Sequence, residues 1–202
     1  YLGVGNGLLV LQEEPGGLTL AGEFNRRDAW LAIRAAQQLG DWPADQLLDI
    51  MNRFPGLQRR MELIAPGLYS DYAHTPEKIR GAMSTALEMA GMDRRVIVLY
   101  EPLTDRRQHH MKDDYQDCFA GATQVYWLPS YLAREDPSVA VLTPAELISH
   151  LADPSIARPA AMGPDLRQTI QRHLAAGDIV VDIAGGGGGS LDEWLRAEFA
   201  GQ

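Results

Sequence analysis

The sequence predicts an α/β fold in which helices flank a mostly parallel, Rossmann-like sheet. Four short apolar runs suited to buried strands alternate with five longer stretches that have the apolar spacing of helices. Short apolar strands separated by amphipathic helices are typical of βαβ units, whose strands run parallel. A small α+β segment precedes this alternating region.

Each predicted element rests on a local pattern. The strands are predicted at 68–70, 96–100, 125–128 and 179–183, and the helices at 76–90, 107–119, 143–151, 164–175 and 191–200. The run VIVLY at 96–100 is apolar throughout, as expected of a strand buried on both faces. Thr75, Pro76 and Glu77 predict a helix start, because threonine caps, proline suits the first helical position and an acid complements the helix dipole.

A break in both hydrophobic periods predicts a domain boundary near residue 56. Pro55 and Gly56 interrupt the pattern, and the segment PGLQRRMEL has the composition of a linker. Residues 1–55 are predicted to form a hairpin around Glu-Pro-Gly-Gly and two helices, while residues 56–202 hold the alternating pattern.

Composition excludes several classes of protein. A net charge of −9 argues against non-specific nucleic-acid binding, and no apolar run reaches the roughly 18–20 residues needed for membrane insertion. The single Cys118 excludes an internal disulfide framework and favours a reducing, cytoplasmic setting. Adjacent His109 and His110 point in different directions on a helix, so no metal site is predicted.

Polar residues follow the predicted strands, where ligands bind in open α/β sheets. After the first strand come Asp71, Tyr72 and His74; the helix cap that follows explains neither Asp71 nor Tyr72. Arg106 and Arg107 lie just past the second strand and could bind a carboxylate or a phosphate.

Two glycine-rich stretches leave alternatives open. Gly185–Gly189 fits a phosphate-cradling turn, a flexible turn or an engineered linker, since it lacks both the spaced GxGxxG pattern and the lysine of a P-loop. GVGNG at 3–7 is interpreted as a plain turn.

Several motifs, taken together and in this order, resemble the Mur ligases. They are GEFNRRDAWLAI (22–33), GLQRRMEL (56–63), SDYAHTPEKI (70–79), VIVLYEP (96–102) and GDIVVDIAGGG (177–187). Mur ligases are ATP-dependent enzymes that add amino acids to UDP-N-acetylmuramate during peptidoglycan assembly. The resemblance is closest to the branch that adds L-alanine, and the murein-peptide recycling branch is a near relative.

The resemblance implies that residues 1–55 end a central ATPase domain and that residues 56–202 form a C-terminal domain. Such enzymes use ATP and Mg²⁺ to phosphorylate the substrate carboxylate, and the incoming amine then attacks the acyl phosphate. The family's P-loop belongs to the central domain and no such motif occurs here. This chain alone is therefore expected to be inactive without the missing N-terminal and central domains, the latter holding most magnesium ligands.

The resemblance also assigns roles to individual residues. Asn25 matches the asparagine that reads adenine, and Asp28 stands where a second asparagine is usual. Arg60 matches the arginine that reaches the ATP phosphates, and Asp71 matches the ribose-binding acid. These four are the predicted nucleotide-binding residues.

Tyr72 and His74 match residues that face the substrate and the incoming amino acid, which makes His74, with Arg60, the implied catalytic pair. Alanine-adding members carry a histidine and two arginines after the next strand, and only Arg107 is retained here. The hypothesis is that Arg107 binds the carboxylate of a small amino acid, L-alanine. Arg106 could assist only if residues 104–107 form a loop.

Two other interpretations remain. The chain could be a stand-alone nucleotide- or partner-binding module without ligase activity, or part of a folate-type or cyanophycin-type ligase of the same superfamily. The pair Glu101-Pro102 looks like the recycling branch.

Overall fold

The computed structural model describes residues 2–4, 7–9, 16–133 and 135–200, and divides into two compact units, Tyr1–Pro55 and Gly56–Gln202. In the first unit, β1 (Leu2–Val4) pairs antiparallel with β2 (Gly7–Leu9), so part of GVGNG lies in strands rather than in a plain turn. Helices α1 (Glu23–Leu39) and α2 (Ala44–Asn52) follow, as predicted. The predicted hairpin around Glu-Pro-Gly-Gly falls mostly outside the described residues, and residues 18–20 form no strand.

The second unit is built on one six-stranded sheet. Its strands are β3 (Glu62–Ala65), β4 (Leu68–Asp71), β5 (Val96–Glu101), β6 (Gln124–Trp127), β7 (Ala157–Pro159) and β8 (Ile179–Ala184). They lie in the order β3-β4-β8-β5-β6-β7, and only β3 runs antiparallel to its neighbour. The predicted mostly parallel α/β sheet is therefore confirmed.

The helices of the second unit are α3 (Pro76–Ala90), α4 (Asp105–Met111), α5 (Pro144–Ile148), α6 (Pro164–Ala175) and α7 (Leu191–Phe199). Helices α3 and α6 have the predicted bounds. The prediction of one helix over 107–119 was wrong, because α4 begins at Asp105, ends at Met111 and continues as a 3-10 turn over Lys112–Tyr115. Among the described residues, no helix is long and apolar enough to cross a membrane.

Two edge strands were not predicted. β3 occupies the end of the segment interpreted as a linker, and its residues are half-buried or exposed, so it lacks the apolar run of a buried strand. β7 has three residues and ends at Pro159, which suits an edge position because proline cannot donate to a sheet hydrogen bond.

The central strands carry the core of this unit. All six residues of β5 and all six of β8 are buried, so apolar side chains cover both faces of the sheet. One face packs Val98, Tyr100 and Trp127 against α3 and the segment around Phe119. The other packs Leu99 and its neighbours against α6 and α7. This two-sided burial explains why the strand sequences are almost continuously apolar.

The glycine run after β8 is closely packed at its start. A Cβ atom on Gly186 would lie 2.7 Å from the Tyr131 ring and 2.8 Å from the Ser190 Cβ atom. A Cβ atom on Gly185 would lie 3.0 Å from side-chain atoms of His74 and Leu103, whereas Gly188 has no neighbour within 4 Å. The first two glycines are thus required by close approach, which a flexible linker would not need.

We expect Gly186→Ala to lower the free energy of unfolding by about 1–3 kcal/mol, because the new methyl group must displace Tyr131 or the start of α7. Gly188→Ala is the matched control and should change stability by less than about 1 kcal/mol, in either direction. Urea unfolding of the two variants measures the difference. Equal stability of the two variants would contradict the close packing.

Candidate functional site

The carboxyl ends of β4, β8 and β5 lie side by side and form the carboxyl-terminal edge of the sheet, which is distinct from the edge strands β3 and β7. The segments that follow them meet there, since Gly185 approaches both His74 and Leu103. Residue 103 also pairs with Tyr131, which follows β6. The sequence-predicted residues that follow β4 and those that follow β5 are therefore brought to one edge.

Asp71, the last residue of β4, is a buried carboxylate that accepts hydrogen bonds from two backbone N–H groups. Its Oδ2 atom accepts a hydrogen bond from the N–H of Met61 at 3.1 Å, and Oδ1 accepts from that of Ala73 at 2.9 Å. Burial raises the pKa of Asp71, while these bonds and the nearby arginines Arg60 and Arg59 oppose the rise. A carboxylate oxygen has a further lone pair, so each can still accept a hydrogen bond from a ligand.

Arg60 and Tyr72 are neighbours at this edge. The exposed guanidinium of Arg60 lies 5.8 Å from the centroid of the Tyr72 ring. The N–H of Tyr72 donates to the carbonyl of Arg59 at 2.9 Å, which ties the end of β4 to the segment before β3. An exposed cation and a phenol thus lie where one ligand could contact both.

His74 presents a nitrogen with an available lone pair to the same edge. Its Nδ1 atom lies 2.8 Å from the carbonyl oxygen of Tyr72, and because that oxygen can only accept, Nδ1 carries the proton and Nε2 does not in the neutral ring. Burial lowers the pKa of His74, and the charges of Lys78, Arg107 and Arg60 lower it further. The imidazole is therefore neutral near pH 7 and can accept a hydrogen bond or a proton through Nε2.

The two arginines of α4 are not brought together. The helix begins at Asp105, so Arg106 and Arg107 both lie in its first turn and project about 100° apart. Arg107 acts electrostatically on His74. Arg106 instead lines a separate cleft of about 380 Å³ with His110, Glu135 and other residues. The condition for both arginines to reach one ligand, a loop over 104–107, is not met.

Buried polar contacts fix the start of α4. Asp105 accepts a hydrogen bond from the N–H of Leu142 at 2.7 Å, and the buried Gln108 side chain donates to the carbonyl of Leu103 at 3.2 Å. The hydroxyl of Tyr115 in turn donates to Gln108. Sequence reasoning missed these residues, because a polar residue in a charged helical stretch gives no sign that it faces the core.

Asn25 and Asp28 lie in the first unit, at the beginning of α1. The Asn25 amide donates to the carbonyl of Ala21 at 2.7 Å, and Asp28 is exposed. Their predicted contact with adenine stays a prediction.

A residue that the sequence did not single out, Arg59, joins several parts of this edge. Its guanidinium donates to the carbonyls of Ala184 and Gly186 and lies 4.5 Å from the centroid of the Tyr72 ring. Only its position beside Arg60 could have drawn attention to it. Within the described residues, no group of three His, Cys, Asp or Glu side chains is arranged to hold a metal ion.

The chain matches the family model described as Mur ligase, glutamate ligase domain, over residues 59–186. A UDP-N-acetylmuramate–L-alanine ligase of Jannaschia sp. (strain CCS1) is 28% identical over 186 residues, which cover 89% of this chain and 38% of that protein. This chain thus spans well under half the length of that relative.

Two solved structures are similar over 90% of this chain and 38% of their own. The UDP-N-acetylmuramate-alanine ligase of Thermotoga maritima has a TM-score of 0.63 at 20% identity, which supports the fold alone. The murein peptide ligase of Psychrobacter arcticus 273-4 has a TM-score of 0.54 at 25% identity. Because the family model covers well over half of the sequence and includes the sheet edge from Arg60 to Gly186, the chain belongs to the Mur ligase family.

Proposed function

We propose that this chain is the C-terminal part of an ATP-dependent, ADP-forming amide ligase that joins an amino acid, L-alanine, to UDP-N-acetylmuramate in peptidoglycan synthesis. The observation that carries the proposal is an edge of a Mur ligase domain at which the charges of Arg60 and Arg107 act on a neutral His74, in a chain of net charge −9. An anionic ligand is attracted to such an edge even though the whole chain repels anions.

In the proposed reaction, a carboxylate oxygen of UDP-N-acetylmuramate attacks the γ-phosphorus of ATP, and ADP leaves. The amine then attacks the carbonyl carbon of the acyl phosphate, forms the amide and expels phosphate, and the amine loses a proton. ATP arrives with Mg²⁺, which screens its phosphates and whose ligands lie mainly outside this chain. We assign Arg60 to the phosphates, Asp71 to the ribose hydroxyls, and Asn25 with Asp28 to the adenine.

We assign the remaining residues to UDP-N-acetylmuramate and the incoming amino acid. Tyr72 lies between Arg60 and His74, where its ring and hydroxyl can contact the muramyl substrate. Arg107 binds the carboxylate of the incoming amino acid through its planar guanidinium. His74 accepts a hydrogen bond from the amine through the free Nε2 atom and can take its proton.

A murein-peptide recycling ligase is the second candidate. The pair Glu101-Pro102 favours it, as does the 25% identity to the Psychrobacter arcticus enzyme. Phosphate release by the full-length protein with UDP-N-acetylmuramate and ATP separates the candidates, with L-alanine in one reaction and a murein tripeptide in another. ATP binding without release in either reaction would instead support a binding module.

We expect Arg107→Ala, in the full-length protein, to raise the KM for the amino acid about ten- to a hundred-fold, which corresponds to the loss of one charge-assisted pair of about 1.5–3 kcal/mol. Arg106→Ala is the matched control, because its side chain lines the separate cleft. It should change that KM less than about threefold. A larger effect at Arg106 than at Arg107 would show that the carboxylate binds in the cleft.

The lowered pKa of His74 predicts a pH dependence. The neutral form accepts the proton, so activity is kept above the pKa of His74 and is lost as the pH falls through it. Because the amine must also be deprotonated, log kcat/KM for the amino acid should fall with a slope of about one below the pKa of the amine. Because the pKa of His74 lies below the ordinary histidine value of 6.5, the plot should bend a second time, to a slope of about two, at a pH below 6.5.

His74→Gln should remove the second break and lower the plateau by about a hundred-fold. His110→Gln is the control, because that histidine lies on the exposed part of α4 and should leave both breaks in place. If His74→Gln kept the second break, the proton would go to another group.

A further inference from the structure

We propose that Arg59 is a positioning residue: its guanidinium fastens the segment that carries Arg60 to the glycine run and to α7, and so presets Arg60 for the nucleotide. The proposal rests on the proposed function only in taking ATP as the ligand of Arg60. The fastening itself follows from the contacts of Arg59 alone.

Arg59 joins several elements of the second unit. Its side chain donates to the carbonyls of Ala184 and Gly186, the latter at 3.0 Å, across more than a hundred residues of sequence. Its own N–H donates to Glu62 Oε2 at 2.7 Å, and its carbonyl accepts from Tyr72 at 2.9 Å. One residue thus contacts β3, the end of β4 and the end of β8.

Two residues of the segment 59–61 have a strained backbone conformation. Arg59 has φ 55° and Met61 has φ 46°, in the left-handed region that non-glycine residues seldom adopt. Such residues persist only where their surroundings hold them. Asp71 holds Met61 through the backbone, and the Arg59 side chain holds the other end of the same short segment. Arg60, between them, takes its direction from both.

A cluster of buried carboxylates, Glu101, Asp182 and Asp192, lies beneath the guanidinium of Arg59. The Nε atom of Arg59 lies 3.5 Å from Asp192 Oδ2, and Asp192 also accepts from Ser70 at 2.5 Å and from Arg196. Among the described residues, one oxygen of Glu101 and one of Asp182 have no hydrogen-bond partner. Burying polar groups unpaired is costly, so packing alone does not account for this cluster.

Arg59 is the cation that acts on Glu101 and Asp182 in this cluster. Burial raises the pKa of Glu101 to about 7 and also raises that of Asp182, while Arg59 opposes both shifts. Hydrogen bonds from Arg196 and Ser70 outweigh burial and lower the pKa of Asp192. Arg196 is shared with Glu62 at 2.7 Å, whereas Arg59 faces the cluster on one side and two carbonyls on the other.

A lysine at position 59 would keep the charge but could not reproduce this arrangement. The guanidinium presents several N–H donors in one plane. Here its two terminal nitrogens donate to the carbonyls of Ala184 and Gly186, and Nε forms an ion pair with Asp192 at 3.5 Å without a hydrogen bond. A single ammonium group cannot span these acceptors and also lie flat over the Tyr72 ring. Arg59→Lys therefore tests positioning while the charge is kept.

The experiment compares Arg59→Lys with Arg80→Lys in the full-length protein. Arg80 is the matched control, because it too donates to a carboxylate, that of Asp117, and to a carbonyl, but it does so on α3. Amide hydrogen exchange is followed in residues 57–61, 185–190 and, as a folding reference, 96–100. Affinity for Mg²⁺-ATP is measured by calorimetry, and ligase turnover is measured for the unaltered protein.

We expect Arg59→Lys to speed exchange in 57–61 and 185–190 by about tenfold or more, to leave 96–100 unchanged, and to weaken ATP binding roughly ten- to a hundred-fold. Arg80→Lys should change neither the exchange rates of these segments nor the affinity for ATP. Unchanged exchange in both segments, or faster exchange with unchanged ATP affinity, would overturn the inference.

Turnover separates this inference from the proposed function. If the unaltered protein turns over and Arg59→Lys behaves like Arg80→Lys, the inference fails and the function stands. If the unaltered protein binds ATP without turnover and Arg59→Lys weakens that binding, the function fails and the inference stands. If the unaltered protein does not bind ATP, both are overturned.

Discussion

Strand β8 pairs with β4 on one side and with β5 on the other, and this double pairing determines where the candidate site residues that follow β4 and β5 lie. Asp182 stands opposite both Ser70 and Leu99, which aligns the carboxyl ends of the three strands at one edge. A one-residue slip would turn each buried side chain to the other face of the sheet. The apolar runs of β5 and β8, buried on both faces, make such a slip costly and so fix the edge.

The same register brings carboxylates into the interior. Ser70 and Asp182 face the helix that carries Asp192, in a region otherwise covered by apolar side chains. Because an isolated charge is costly to bury, Arg59 and Arg196, which contact Asp192, contribute to the stability of the fold. Arg59 thus contacts both the buried carboxylate cluster and the edge that carries Tyr72.

The parts of this structure that sequence could predict are those that have a repeating pattern. The apolar runs at 96–100 and 179–183 predicted the central strands, and Pro76 with Glu77 predicted the start of α3, although Thr75 makes no side-chain cap hydrogen bond. The strand ends placed Asp71 and His74 at one edge. The edge strands β3 and β7 lack such a pattern, and α4 stops early because the chain tightens into a 3-10 turn at Lys112. Long-range partners such as that of Arg59 with Ala184 leave no local trace in the sequence.

Leu103 and Thr104 stand where alanine-adding members of the family carry the histidine and the first of the two arginines that follow this strand. Leu103 packs here beside Gly185. Thr104 has φ 54°, and its N–H donates to the carbonyl of Tyr131 at 2.9 Å. Both positions thus hold the segment after β5 against the glycine run and the segment after β6. Since these two positions serve packing, the proposed recognition of an amino-acid carboxylate at this edge would depend on Arg107, and His74 would add a lone pair rather than a second charge.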